Sequence, residues 1–199
     1  MRPDFDTLEA VNHMLRAADE TPVNTLDSDG VNDTDLAQSI LDEKIMETLA
    51  EGWTFNTEVQ TLTPDSNGYI SISTSIIRVD GHGDDYHSKF AIRDNKLWDR
   101  DNSTNVFTVD SVELLVTRWL EFEELPLTVR LYIAASAARE YQQAQVNDPN
   151  RDARLAEKEA KALGNMRRES IQESDWVWGI SANSSSSYIR TRRRRDRRR

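Results

Sequence analysis

The chain of 199 residues contains no cysteine. It can therefore form no disulfide, and it offers no thiolate for a metal site or for nucleophilic catalysis. This absence fits assembly in a reducing cytoplasm. No apolar run approaches the roughly 20 residues that span a bilayer, and the N-terminus lacks the apolar segment of a signal peptide. We therefore expect a protein that is soluble and is not secreted by the usual route.

The chain is also poor in apolar residues, which make up 37% of it. Five tryptophans, five tyrosines and five phenylalanines still provide material for a core, so wholesale disorder is not expected. The length allows one domain with a substantial core, or two small ones.

Basic residues are scarce except at the C-terminal end. Eight of the 25 lysines and arginines lie within residues 190–199, where Asp196 is the only acid. Residues 1–189 therefore hold 17 basic and 34 acidic residues, a net charge of −17, whereas the last ten residues carry +7. An acidic body repels DNA and suits a wall past which DNA slides without adhering, whereas a basic tail attracts it.

The first 52 residues predict two amphipathic helices. Asp6 can cap the first, with Glu9 reaching back as in a capping box, and Thr21-Pro22 is expected to end it. Asn32 or Asp33 would cap the second, and Gly52 would terminate it. Apolar residues recur at helical spacing in both; they are Leu8, Val11, Leu15 and Ala18, then Leu36, Ala37, Ile40, Leu41, Ile45 and Leu49.

Between Trp53 and Trp119 the pattern changes to short strands, about six in number. A hairpin-type turn is expected at residues 64–68 and a tight turn at Asp94-Asn95. The predicted strands are 55–62, 69–79, 90–93, 96–99, 106–109 and 112–119. They indicate a small antiparallel sheet or sandwich inserted between helices.

Pro126 is a typical first-turn residue and predicts a third helix. Its expected apolar side is Leu127, Leu131, Ala134, Ala135, Ala138 and Tyr141. A fourth helix is expected after Asn147-Asp148-Pro149, with a narrow stripe of Leu155, Ala156, Ala160 and Leu163. Its other faces are charged, which is typical of a solvated or interface helix.

From Asp175 onward the composition predicts irregular chain that stays disordered until a partner holds it. Trp176 and Trp178 stand beside this segment. They fit two interpretations, as anchors for a partner surface or as side chains that fold back on the core.

No pattern in the sequence supports catalysis. The Asp27 to Gly30 turn fails as a calcium loop, because positions one and twelve would hold Thr25 and Leu36. The segment from His82 to His87 contains two histidines and two aspartates, but it is glycine-rich and no second cluster accompanies it. Glu121, Glu123 and Glu124 are more simply a charge run before a helix. No catalytic, cofactor or metal-binding residue is predicted.

The helical blocks resemble the tail tubular protein A family, the head-to-tail adaptors of short-tailed bacteriophages (podoviruses). The matching residues are Ala10-Val11-Asn12, Leu15, Glu20 to Leu26, Asp33, Ala37, Ile40-Leu41 and Gly52-Trp53-Thr54-Phe55-Asn56. The likeness returns in Glu121 to Pro126 and in the alanine-rich helix that contains Arg139, after a divergent middle. The long arginine run is not part of the family pattern.

The resemblance implies a structural virion protein that is assembled in the host cytoplasm and located in the tail. Its expected partners are the portal above, a nozzle similar to tail tubular protein B below, tail fibres, passing DNA and further copies of itself in a ring of twelve. In this family the C-terminal segment embraces the portal. The implied portal interface is Trp176, Trp178, Tyr188, Arg190, Arg192, Arg193, Arg194 and Arg195.

The expected fold class is α+β, a small helical bundle with an inserted antiparallel β domain and an extended C-terminal tail. The expected divisions are a helical hairpin at 1–52, the β domain at 53–120, the remaining bundle helices at 121–174 and the tail at 175–199. A different function also fits the charges, namely an acidic, non-enzymatic module that binds nucleic acid through its arginine-rich tail.

Overall fold

The computed structural model describes residues 5–26, 32–85 and 87–180, with Asn32 and 173–180 described by backbone alone. Its helices are α1 (Thr7–Ala17), α2 (Asn32–Ala50), α3 (Leu127–Gln145) and α4 (Pro149–Ile180). Its strands are β1 (Thr57–Leu62), β2 (Ile76–Gly81), β3 (Phe90–Arg93), β4 (Lys96–Asp99) and β5 (Val112–Arg118). The strands lie between the two pairs of helices, and the expected α+β class is confirmed.

Helix α1 begins as the sequence predicts and ends earlier. The Asp6 carboxylate accepts the Glu9 N–H at 2.9 Å, so Asp6 is the N-cap. The Glu9 carboxylate bonds Arg16 at 2.5 Å instead of closing a capping box. The helix ends at Ala17, not at Thr21-Pro22, because Asp19 takes a left-handed conformation with φ of 61° and the chain turns back there.

Helix α2 spans the predicted segment, and Gly52 ends it with φ of 74° while its N–H bonds the Leu49 carbonyl at 3.2 Å. A glycine suits this left-handed cap because it has no Cβ to clash. The predicted apolar stripe is buried except for Leu36, which is 38% exposed. The prediction was wrong for Leu36, because successive residues of an α-helix are about 100° apart and Ala37 is the one that faces the core. Leu36 therefore lies at the edge of the buried side.

Helix α3 is the centre of the helical core and packs against α1, α2 and α4. Val129, Ile133 and Ala137 are buried in it. Leu127 and Leu131, which the sequence placed on the apolar side of this helix, are 50% and 44% exposed. The other four residues of the predicted side, Ala134, Ala135, Ala138 and Tyr141, are buried, so the prediction was wrong only at the two leucines. The buried residues of this core are Ala10, Val11, Met14, Leu15, Ala18, Ala37, Ile40, Leu41, Ile45, Leu49, Phe122, Leu125, Val129, Ile133, Ala134, Ala137, Ala138, Tyr141 and Met166.

Helix α4 joins the bundle through Leu155, which is buried as expected, and through Met166. Ala160, which the predicted stripe included, is exposed. The helix continues to Ile180, so Trp176 and Trp178 lie in a helix and not in irregular chain as the composition predicted. Composition describes the segment as a whole and does not show at which residue helical hydrogen bonding ends. The rest of the expected tail, residues 181–199, lies outside the described part.

The strands form two antiparallel groups, a three-stranded sheet in the order β1-β5-β2 and the hairpin β3-β4. The Asp94-Asn95 turn of that hairpin is confirmed, with positive φ at both residues as in a type I′ turn. A second core of aliphatic side chains lies here. Its buried members are Ile70, Ile72, Ile76, Val79, Leu97, Val112, Leu114 and Val116.

The sheet differs from the prediction in its pairing. A turn does form at 64–68, where the Asp65 carboxylate accepts the N–H groups of Asn67 and Tyr69. It does not close a hairpin, because β1 pairs with β5 from far along the chain. Strand β5 buries Val112, Leu114 and Val116 and so takes the central place. Residues 106–109 form no strand, and the predicted 69–79 strand begins only at Ile76.

Candidate assembly surfaces

Two polar side chains, Asn12 of α1 and Tyr141 of α3, hold the residues that follow α1. The Asn12 amide donates to the Val23 carbonyl at 2.9 Å and accepts the Val23 N–H at 2.7 Å. The buried Tyr141 of α3 donates to Glu20 at 2.5 Å. Burial, and then the bond to Glu20, raise the pKa of Tyr141. Residues 20–23 are therefore fixed against α1 and α3 by two different side chains.

A second polar joint connects the helices to the sheet. The buried Asn56 amide donates to the carbonyls of Leu49 and Arg118, both at 3.0 Å. Its oxygen accepts the Trp53 N–H at 2.8 Å, while the Trp53 indole donates to Thr48 at 3.0 Å. Asn56 therefore bonds the end of α2, the entry to β1 and the end of β5 at once.

Helix α4 is fixed along its first half by ion pairs. The Arg139 guanidinium donates to Asp152 at 2.7 Å and to Glu159 at 3.0 Å. The bonds to Asp152 and Glu159 raise the pKa of Arg139, and the bond to Arg139 lowers the pKa of Asp152. Further along, the Thr54 and Ser170 hydroxyls bond at 2.9 Å. The direction of α4 relative to α3 is thereby set.

The predicted portal interface lies at and beyond the end of this helix. Trp176 and Trp178 belong to the last turns of α4, where the backbone alone is described. Tyr188, Arg190, Arg192, Arg193, Arg194 and Arg195 lie outside the described residues. The interface thus remains a prediction, with a fixed helix leading to it.

The acidic segment before α3 has a structural use. The Glu124 carboxylate accepts the Glu121 N–H at 3.0 Å. Glu123 accepts the Thr7 N–H at 3.1 Å and the Thr7 hydroxyl at 2.5 Å, and the Thr7 hydroxyl bond is the largest cause lowering the pKa of Glu123. These carboxylates tie the segment to itself and to the start of α1.

In the loop after β2, the His82 imidazole lies 3.1 Å from the Glu113 carboxylate, and Asp85 accepts the Glu113 N–H at 3.0 Å. Across 5–26, 32–85 and 87–180, no group of three or more histidine or acidic side chains is arranged to hold a metal ion. The rejected calcium turn at residues 27–30 lies outside those ranges. Within them, no helix has the length and apolar character needed to cross a membrane.

Two further surfaces are exposed and were missed by sequence reasoning. One is the outer face of α2, where Asp35, Asp42, Glu43 and Met46 line a shallow depression. The other is a groove between α3 and α4, lined by Thr128, Leu131, Lys158, Lys161, Ala162 and Asn165. The two lysines three positions apart are visible in the sequence, but only the crossing of the helices places them beside Leu131.

The described side chains thus show a framework with external faces suited to contacts between proteins. A family model described as "Tube: Tail tubular protein" matches residues 8–176. No match to an individual curated protein was found. This match identifies a structural protein of the phage virion, a component of the tail. The chain belongs to the tail tubular protein family.

Proposed function

We propose that this chain is the head-to-tail adaptor of a short-tailed phage. In this role, copies form a ring of twelve that joins the portal to a nozzle similar to tail tubular protein B. The ring surrounds the path of DNA ejection and offers a docking site for tail fibres. One observation carries the proposal. Residues that resemble the adaptor family, Asn12, Trp53 and Asn56 among them, are those whose side chains hold the helical framework together.

The charge of the body supports the role of a conduit. Residues 1–189 carry a net charge of −17. A wall of this sign repels the phosphates of DNA, so that DNA passes without being retained. A net positive charge, of +7, is carried by the last ten residues, which lie outside the family-matched part.

The fixed course of α4 supports portal binding by the C-terminal end. Ion pairs of Arg139 anchor the helix early, and its last turns carry Trp176 and Trp178. Large aromatic side chains with neighbouring arginines are typical energetic centres of protein interfaces. In the proposal they meet the portal together with Tyr188 and the arginines that follow.

The test is co-sedimentation of the full chain with the portal of the same virus, followed by negative-stain imaging. The expected result is a ring added beneath the portal in fixed stoichiometry. Monomers that neither sediment with the portal nor form a ring on it would overturn the adaptor assignment.

A series of truncations separates the parts of the C-terminal end. Removal of all residues after Ser174 is expected to leave a folded protein, since Leu155, Met166 and Ser170 precede the cut. It is expected to lose portal binding. Ending the chain at Ile180 retains the tryptophans, and ending it at Ile189 removes the arginine run alone. Full portal binding by the Ser174 variant, with an unchanged far-ultraviolet spectrum, would exclude the C-terminal interface.

The arginine run favours a second candidate, an acidic module that binds nucleic acid. Eight arginines in the last ten residues would release counterions from DNA, so affinity should fall steeply with salt. A salt titration with double-stranded DNA, comparing the full chain with the variant that ends at Ile189, measures this directly. A steep slope that disappears with the run, without any portal binding, would favour this candidate.

A further inference from the structure

The outer face of α2 is acidic and has an exposed apolar centre. Met46 is 59% exposed, and Asp35, Asp42 and Glu43 lie around it. None of these three carboxylates forms an ion pair with any described residue. Burial, and then the neighbouring Glu121, raise the pKa of Asp42. Negative charge is therefore crowded here without a cation from the described chain.

The groove between α3 and α4 has the complementary character. Leu131 is 44% exposed in it, and Leu127 lies one turn away. Lys158 and Lys161 stand on its α4 side, and neither forms an ion pair within the described ranges. The surface thus combines an unfilled apolar strip with two unpaired positive charges.

The two surfaces lie on opposite sides of the bundle. Lys44 of α2 bonds Glu140 of α3 at 2.6 Å, which shows the side of α3 that faces α2. Leu131 precedes Glu140 by nine positions, about two and a half turns of an α-helix, so it points away from α2. One copy therefore presents an acidic apolar face on one side and a basic apolar groove on the other.

We propose that the α2 face of one copy docks into the α3–α4 groove of the next, with Asp42 and Glu43 opposite Lys158 and Lys161 and Met46 against Leu131. The inference rests on the proposed ring function and names the surfaces that build the ring. Two different patches on opposite sides form a head-to-tail contact, and such contacts close into a ring when the rotation per copy divides the circle. A methionine adapts its shape easily and suits an irregular apolar groove.

A second copy is the occupant that the charges favour. The acidic face and the basic groove are carried by the same chain, so every copy supplies both halves of a complementary contact. Complementary charges at an interface raise the rate of encounter and exclude a wrong register. Neither surface includes the residues predicted to meet the portal. A copy can therefore contact its two neighbours in the ring and the portal at the same time.

The test uses two charge-reversed forms of the full chain. Lys158→Glu/Lys161→Glu makes both surfaces acidic, and Asp42→Lys/Glu43→Lys makes both basic. Each alone is expected to assemble at least about tenfold more weakly than wild type, because like charges then face each other. An equimolar mixture is expected to recover assembly, since each variant complements the other. Mass photometry measures the oligomers, alone and with the portal present.

Mixing also shows that the variants are folded, because misfolded chains would not complement each other. The matched control is Lys89→Glu/Arg100→Glu, two reversals on exposed residues of the β region, which should assemble as wild type does. If wild type forms no ring even on the portal, the proposed function fails. If wild type forms rings and both variants also do so unmixed, or if the mixture fails to recover assembly, the proposed surfaces are wrong and the adaptor role stands.

Discussion

The helical region and the β region use their polar side chains in different ways. In the helical region, Asn12, Asn56 and Tyr141 are buried and bond segments that are distant in sequence. In the β region the buried core is aliphatic, and Asp65 and Asp99 bond backbone groups within their own exposed turns. A buried polar bond requires a particular partner in a particular geometry, whereas aliphatic packing accepts many combinations of similar volume. Asn12 and Asn56, two of the residues that carry the resemblance to the adaptor family in the sequence, are among these buried polar side chains.

The largest effect is expected where the two regions meet. Asn56→Ala removes three hydrogen bonds and leaves the Leu49 and Arg118 carbonyls and the Trp53 N–H without this partner. Each unsatisfied buried group costs about 1–3 kcal/mol, so the free energy of unfolding should fall by roughly 3 kcal/mol or more. Urea unfolding followed by circular dichroism measures the loss.

The same chemical change at an exposed site is the control. Asn67→Ala lies in the 64–68 turn, and its side chain is exposed, so stability should change by no more than about 0.5 kcal/mol. If Asn56→Ala lowers the free energy of unfolding as little as Asn67→Ala does, the hydrogen bonds of Asn56 do not couple the helical region to the β region. The contrast drawn between the two regions would then be wrong.

A pair of glycine substitutions should act in opposite directions in the two regions. Gly68 in the β region has φ of 81°, and an added Cβ would lie 2.8 Å from Val106 Cγ1 and 3.0 Å from the Phe107 carbonyl. Gly68→Ala should therefore cost about 1–3 kcal/mol. Gly164 lies in α4 with nothing within 4 Å of an added Cβ, so Gly164→Ala should stabilise by about 0.5–1 kcal/mol.

Thermal unfolding of both variants beside wild type shows which substitution lowers the stability of the protein and which raises it. A stabilising Gly68→Ala would mean that this turn is not held in the left-handed conformation. A destabilising Gly164→Ala would mean that α4 is interrupted at that position.

Local signals in the sequence predicted the parts of the fold that depend on neighbouring residues. The Asp6 cap, the Gly52 end of α2 and the Asp94-Asn95 turn each follow from one residue's chemistry. The pairing of β1 with β5 joins residues that are fifty or more positions apart, as Leu62 and Val112 are, and no nearby residue specifies it. The predicted hairpin failed for that reason.

The candidate surfaces were harder to predict than the framework. In α3 nearly every side has a small or apolar residue, so Leu131 was assigned to the core although it faces outward. Lys158 and Lys161 appeared only as part of a charged helix. Their relation to Leu131 depends on how α4 crosses α3, which the Arg139 ion pairs fix. Sequence patterns alone do not give that crossing.

The smallest expected effect concerns pH and belongs to the helical region. His13 lies on α1, where burial lowers the pKa of its imidazole and the neighbouring Arg16 and Lys158 lower it further. The unfolded chain then binds a proton near pH 6.5 that the folded chain does not bind until lower pH. The contribution of His13 to the free energy of unfolding is therefore complete above about pH 6.5 and is lost as the pH falls below that value. The free energy of unfolding then changes with pH by at most about 1.4 kcal/mol per pH unit. His13→Gln should flatten the dependence of the unfolding free energy between about pH 5.5 and 7 relative to wild type. An unchanged slope would show that this imidazole titrates alike in both states, and His13 would then not make the helical region sensitive to mild acid.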